Sequence, residues 1–212
     1  MFGAPYDETV TFKSGAVDGP AAIRQCFYGV ESFSPYQNCD LSDVRLYDAG
    51  DINLQTASPE YMVDLVEEMV DDILADGKIP FMLGGEHLVT LGAVRAACKK
   101  YNDLHIVHFD AHADLAEQYD GQLYSHACIM KRCYDLLGDK RIWQFGIRSM
   151  SKNEFDFIKD KHVTTEMFDV KNVSKMQFSK KAPVYLTVDL DVLDPSEFPG
   201  TGTQEAGGIS FN

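Results

Sequence analysis

The sequence predicts an α/β fold, a mainly parallel sheet with helices on both faces. Three observations carry that expectation. Short β-rich apolar runs alternate with stretches of helical periodicity, as in βαβ units. Two of the runs, IPFML (79–83) and LHIVHF (104–109), are almost continuously apolar, as strands covered on both faces must be. Of the 212 residues, 45% are hydrophobic and 25% charged, which supplies apolar surface for one substantial core.

In chain order, a first helix is expected near Pro20. VRLYDAG (44–50) reads as a strand bounded by Gly50. The clearest helix spans 59–76: Ser58 suits the N-cap, Pro59 the first helical position and Gly77 the C′ position. Met62, Leu65, Val66, Met69, Val70 and Ile73 form its apolar stripe. The strand IPFML follows, then a helix after His87. LHIVHFD (104–110) is the next strand, with a helix after Ser125. RIWQFGI (141–147) and a helix after Ser151 come next. The polar stretch 169–181 is left as helix or loop, and VYLTVDL (184–190) is the last strand. No linker, repeat or low-complexity tract interrupts this order, so residues 1–212 read as a single domain.

Nineteen basic and 33 acidic side chains give a net charge of −14. That balance argues against a nucleic-acid partner and against an anionic membrane surface, and mildly favours a cationic substrate. The five cysteines, Cys26, Cys39, Cys98, Cys128 and Cys133, are odd in number and lack a CxxC pair. They read as small apolar residues in a reducing compartment. No run of 18 apolar residues and no leader pattern is present, so a cytoplasmic location is expected.

In an open α/β sheet, ligands bind beyond the carboxyl ends of the strands. Three predicted strand ends carry unusual residues: Gly84-Gly85-Glu86-His87, Asp110-Ala111-His112-Ala113-Asp114, and Asp189-Leu190-Asp191-Val192-Leu193-Asp194-Pro195. Spacings of i, i+2 and i+4 in extended backbone point side chains to one side. Asp110, His112, Asp114, Asp189 and Asp191 then converge, with His87 as a candidate sixth member. Carboxylates packed this closely repel and raise one another's pKa. Four of them carry about −4, which two divalent cations would neutralise, holding between them a water acidified to hydroxide. An oxygen-rich set with two imidazoles suits Mn(II) better than thiolate-type zinc. A lone DxD often merely starts a turn; three such motifs at three strand ends point to metal. His105, His108 and His162 read as structural. His126, twelve residues after Asp114, is open between a structural role and a proton shuttle.

Together, LGGEHLVTLG, HFDAHADL, YSHAC, FGIRS and VDLDVLDPSEFPGTGTQEAGG resemble the ureohydrolase family, the arginases, agmatinases and their relatives, most closely the bacterial agmatinases. GAPYD and TFKSGAVDGPAAIR resemble that family's opening. The resemblance implies a three-layer α/β/α sandwich of the arginase/deacetylase-like kind. It implies two Mn2+ per chain, with His87, Asp110, His112, Asp114, Asp189 and Asp191 as ligands and Asp110 and Asp191 bridging or central. It matches His126 to the catalytic histidine, with Asp114 as the other route for a proton to the leaving amine. It also implies a homo-oligomer, trimer or hexamer. His126 is followed by Ala127, where many members have glycine. Family members continue past the matching Gly207-Gly208 with a further strand, helices and a guanidinium-contacting glutamate. The domain is therefore expected to be truncated at its C-terminus and slightly at its N-terminus, leaving an open sheet edge.

The implied reaction is hydrolysis of a guanidino group by a metal-bridging hydroxide. Arginases place an asparagine two residues after the last aspartate of DAHxD; here that position is Ala116. The loop 117–124 offers acidic and aromatic groups and no basic one for a carboxylate. This favours agmatine, with Glu117 or Asp120 receiving its distal ammonium, or else standing as a solvated loop. The alternatives are hydrolysis of arginine, guanidinobutyrate or formiminoglutamate, or a non-catalytic regulatory subunit.

Overall fold

The computed structural model describes residues 1–211. Its elements are β1 (Phe2–Ala4), α1 (Gly19–Cys26), a hairpin of β2 (Phe33–Ser34) and β3 (Cys39–Asp40), α2 (Pro59–Ala75), β4 (Met82–Gly84), α3 (Thr90–Lys100), β5 (His105–Phe109), α4 (Ile129–Leu137), β6 (Ile142–Ile147), α5 (Lys152–Lys159), β7 (Thr164–Met167) and β8 (Val184–Val188). The main sheet runs β7-β6-β5-β8, and every neighbouring pair in it is parallel. β1 and β4 form a separate parallel pair. The fold is α/β.

Local chemistry sets the helix limits. Ser58 Oγ accepts from Tyr61 N–H at 3.3 Å, Pro59 opens α2, and Gly77 follows at φ +69°. Ser151 and Glu154 form a reciprocal capping box at α5. α2 buries Met62, Val63, Val66, Val70 and Leu74, each contributing about 1.5–3 kcal/mol when fully buried. It packs on α3, where a Cβ on Gly92 would meet Val63 O at 2.4 Å. α2, α3, α4 and α5 join the sheet face bearing Ile106 and Ile142 in one core. On the other face Phe178, from the 169–181 stretch, stacks on His105 at 4.8 Å and meets Trp143 edge-on. That stretch is loop with one 3₁₀ turn at Val173–Lys175.

Several expectations need correction. The run 44–50 is not a strand. It lies along β1 through Ala49 N–H to Met1 O, Gly50 O to Gly3 N–H, and Ile52 N–H to Gly3 O, at 2.8–2.9 Å. β1 has three residues, too few to build a longer ladder. β5 is buried as expected, but Ile79 is 91% and Phe81 56% exposed. These two, with Val184, Leu186 and Val188, line a cavity of about 520 Å³ between β4 and β8. Each strand there presents an edge that no strand among the described residues pairs. Cys128 and Cys133 are buried, but Cys26 and Cys39 are exposed; all five cysteines are free.

Candidate active site

The site lies where β4, β5 and β8 end. Beyond β4 the chain turns into a 3₁₀ turn at His87–Val89. Gly85 is required there, because a Cβ would lie 2.1 Å from Tyr6 O. That close approach presses the segment after β1 onto Glu86. Beyond β5, Ala111 N–H donates to Asp191 Oδ1 at 3.0 Å, and Asp114 adopts φ +53°. Its carbonyl receives the N–H groups of Met130 and Lys131 at the start of α4. Beyond β8, Asp189 caps a 3₁₀ turn by accepting from Asp191 N–H at 3.0 Å. The aspartates therefore converge through turns, not through the extended backbone the spacing suggested.

Two groups of ligand atoms share Asp110. The first holds His87, His108, Asp110 and Asp114; the second holds Asp110, His112 and Asp191. His87 Nδ1 is 3.0 Å from Asp110 Oδ2, 3.4 Å from Asp114 Oδ2 and 3.6 Å from Asp189 Oδ2. It is fully buried and makes no hydrogen bond. His112 Nδ1 is 3.0 Å from Asp191 Oδ2 and 3.4 Å from Asp110 Oδ1. Donors sharing an octahedral ion at about 2.1 Å lie about 3 Å apart. An orphaned imidazole nitrogen among three carboxylate oxygens fits such an ion.

Electrostatics agree. Burial would lower the His87 pKa, but Asp110, Asp114 and Asp189 overcome it and raise it to about 9. Burial likewise opposes charge on His112, which Asp110 and Asp191 raise to about 11. Burial and the Asp110 and Asp191 charges push Asp189 up to about 7. Burial, then the charge of Asp110, raises Asp114. Burial also opposes ionisation of Asp110, yet His108, His112 and His87 hold it well below the usual range. In the metal-free protein, protons thus occupy the places of cations. They must leave as metal enters. Mn(II) affinity is therefore expected to rise with pH from about 6 upward, as Asp189, then His87, then His112 give up their protons, with proton release on binding at neutral pH. Calorimetry in buffers of different ionisation enthalpy measures this; pH-independent affinity without proton release would contradict it.

His108, read as structural, reaches the cluster. Its Nε2–H donates to Asp110 Oδ2 at 2.7 Å, while Nδ1 accepts from Gln144 at 3.1 Å. Gln144 also donates to Ala113 O and accepts from Thr165 Oγ1 at 2.9 Å. The available signal was its position two residues before Asp110, on the same strand face. Sequence reasoning also missed Arg148, whose guanidinium donates to the carbonyls of Gly146, Asp191, Val192 and Glu205 at 2.7–3.2 Å. Asp194 accepts from Gly207 and Gly208 N–H, folding the chain back so that Glu205 Oε1 comes within 3.7 Å of His112 Nε2. His105 and His162 have structural partners, Phe178 for the first, Asp139 and Tyr134 for the second.

His126 opens the 3₁₀ turn before α4, beside Thr9 and Thr11. Burial lowers its pKa, reinforced by the His112 and His87 charges and opposed by a bond that the ring donates to the Thr9 backbone. Tyr119 and Gln122 pair across a two-residue turn in which Asp120 and Gly121 have φ of +48° and +77°. This is the Asp-Gly hairpin signature. It sets the Tyr119 ring 6.5 Å from His126. Glu117 lies against Lys131 at 3.1 Å and Arg132 at 3.4 Å. Asp120 is exposed and forms no ion pair among the described residues.

Strands that end in an oxygen-rich His/Asp cluster define an α/β protein with a site able to hold metal. The chain belongs to the metal-dependent arginase family, whose model matches residues 1–212. The agmatinase of Bacillus subtilis (strain 168) is 44% identical over 212 residues, covering 99% of this chain and 73% of that protein. The N(1)-aminopropylagmatine ureohydrolase of Thermococcus kodakarensis is 38% identical over 218 residues, covering 100% and 73%. A crystal structure from Clostridium difficile superposes with a TM-score of 0.96 at 43% identity, covering 99% of this chain and 77% of that one. The agmatine ureohydrolase of Thermoplasma volcanium gives 0.87 at 38%, covering 99% and 72%. No helix among the described residues is long and apolar enough to cross a membrane.

Proposed function

We propose that the protein hydrolyses agmatine to putrescine and urea, using two Mn2+ held by His87, Asp110, His112, Asp114, Asp189 and Asp191. The observation that carries this reading is the pair of ligand groups sharing Asp110, in a chain 44% identical to an agmatinase. An oxygen-rich set with two imidazoles favours manganese. When bound, the ions supply Lewis-acid charge and acidify water.

The balance is a guanidinium cation plus water giving urea plus an alkylammonium. The carbon–nitrogen bond to the alkyl amine breaks, and that nitrogen gains protons. The carboxylates make the site attractive to a cation that stays protonated at any accessible pH. His126, kept neutral by burial, can accept a proton and hand it to the leaving amine. Asp114, raised by burial, is the second group able to carry it. Asp120 and Glu117 are read as receivers for the distal ammonium. Asp120 is the less committed of the two, since Glu117 already faces Lys131 and Arg132. Ala116 offers no hydrogen bond for an amino-acid carboxylate. Exposed Phe27, Tyr28, Phe33, Tyr36 and Tyr47 support a homo-oligomer.

Urea release by the Mn(II)-loaded protein, from agmatine and from arginine side by side, tests the reading. Turnover of agmatine well above arginine is expected. Turnover of neither with two metals bound overturns it in favour of another guanidino or formimino substrate, or a non-catalytic role.

A further inference from the structure

Glu86 sits between the glycine turn and His87, 6% exposed, yet it is not a member of either ligand group. Its carboxylate faces away, onto the segment after β1. Oε2 accepts from Thr9 N–H at 3.0 Å, and Oε1 lies 2.6 Å from Thr9 Oγ1. The same hydroxyl oxygen is 3.1 Å from His126 N and 3.4 Å from His126 Nδ1. A threonine hydroxyl has one hydrogen to give. The contact to Glu86 Oε1 takes it, at 2.6 Å against 3.4 Å to His126 Nδ1. Toward His126, Thr9 Oγ1 can then only accept. The backbone N–H of His126 fills one position and Nδ1–H the other. The lone pair of the neutral ring is left at Nε2, where Thr11 Oγ1 lies 3.5 Å away.

We propose that Glu86, acting through Thr9, is a positioning residue that holds His126 as its Nδ1–H tautomer, leaving Nε2 as its proton-accepting atom. The proposal rests on the reading of His126 as the proton carrier of guanidine hydrolysis. Its arrangement parallels the logic of a carboxylate-oriented histidine, with a hydroxyl inserted between carboxylate and ring. Three segments distant in sequence meet in it, and Gly85 permits the contact by admitting Tyr6 O against the turn.

The polarity of the chain makes the test specific. Glu86→Gln keeps size and shape, but its carbonyl must stay on Thr9 N–H, so its NH2 faces Thr9 Oγ1. Thr9 then receives a hydrogen bond where it gave one, and its own hydrogen turns to His126 Nδ1. The tautomer should switch to Nε2–H. Nitrogen NMR of the imidazoles in the metal-free full chain at pH 9 reads this directly, with His126 assigned by its loss in His126→Ala. The expected result is Nδ1–H in the wild type, Nε2–H in Glu86→Gln, a mixture in Thr9→Val, and Nδ1–H again in Thr9→Ser. In the Mn(II)-loaded protein, kcat should fall about 10²-fold or more in Glu86→Gln and Thr9→Val, with KM within about twofold and recovery in Thr9→Ser. Thr9→Val should cost nothing further in a His126→Ala background. An Nε2–H tautomer in the wild type, or an unchanged tautomer in both variants, overturns the proposal. A wild type with the Nδ1–H pattern but no turnover of any guanidine keeps the tautomer assignment and overturns the hydrolase reading on which its catalytic part rests.

Discussion

Asp110→Asn is expected to remove metal binding and activity together, lowering kcat/KM by about 10³-fold or more, equivalent to about 4 kcal/mol. Asp110 is 1% exposed and common to both ligand groups. Each of its oxygens meets a donor: Oδ2 takes His108 Nε2–H at 2.7 Å, and Oδ1 takes His112 N–H at 2.6 Å. An asparagine must turn its NH2 toward one of them, setting donor against donor in a buried site. His108 cannot escape by changing tautomer, because Gln144, fixed by Ala113 O and Thr165, already donates to its Nδ1. The change thus removes a charge the cations need and disturbs both groups at their junction. Metal content of the purified variant and urea release at saturating Mn(II) check this. Full metal occupancy with wild-type turnover would show that Asp110 does not join the two groups.

Much of this site was legible because its chemistry is concentrated at strand ends. GGEH, DAHAD and DLDVLD are short, unusual and placed where α/β sheets bind ligands. Their convergence could be read; its route could not. Asp114 reaches the cluster through a left-handed residue and Asp191 through a 3₁₀ turn that Asp189 caps, which side-chain alternation does not encode. His108 was underweighted because a histidine inside an apolar strand looks like core until its neighbour on β6, Gln144, is known. Thr9 and Glu86 were invisible for a similar reason: Thr9 meets Glu86 across 77 residues and His126 across 117. Helix α2 was legible at both ends because its caps are local. β7, reading TTEM, escaped because it lacks the apolar run that marked the other strands. In IPFML the apolar run was real but its coverage was not, since β4 borders the open cavity.

Arg148→Ala separates support of the metal loop from ligation. The guanidinium closes on carbonyls from three segments: Gly146 on β6, Asp191, Val192 and Leu193 after β8, and Glu205 beyond them. Removing it leaves several partly buried carbonyls without their donor, at about 1–3 kcal/mol for each that water cannot reach. Because the site is only partly buried, a total near 3 kcal/mol is expected, or about 10 °C in Tm for a domain of this size. Asp191 would keep its carboxylate but lose the clamp on its own carbonyl, held at 2.7 Å. Metal affinity should therefore fall about 10–100-fold, as when an outer partner of a ligand is removed. Arg148→Lys keeps the charge without the planar fork, and should recover only part of both losses. Thermal melts without metal, paired with Mn(II) titration, distinguish the two variants. Asp110→Asn should abolish metal binding outright and also lower the metal-free Tm, because a donor is left facing His108 Nε2–H or His112 N–H in a buried site. Arg148→Ala should lose metal-free stability and metal affinity together. If its Tm were unchanged while metal affinity fell, Arg148 would act on the ligands alone and the clamp would carry no folding energy.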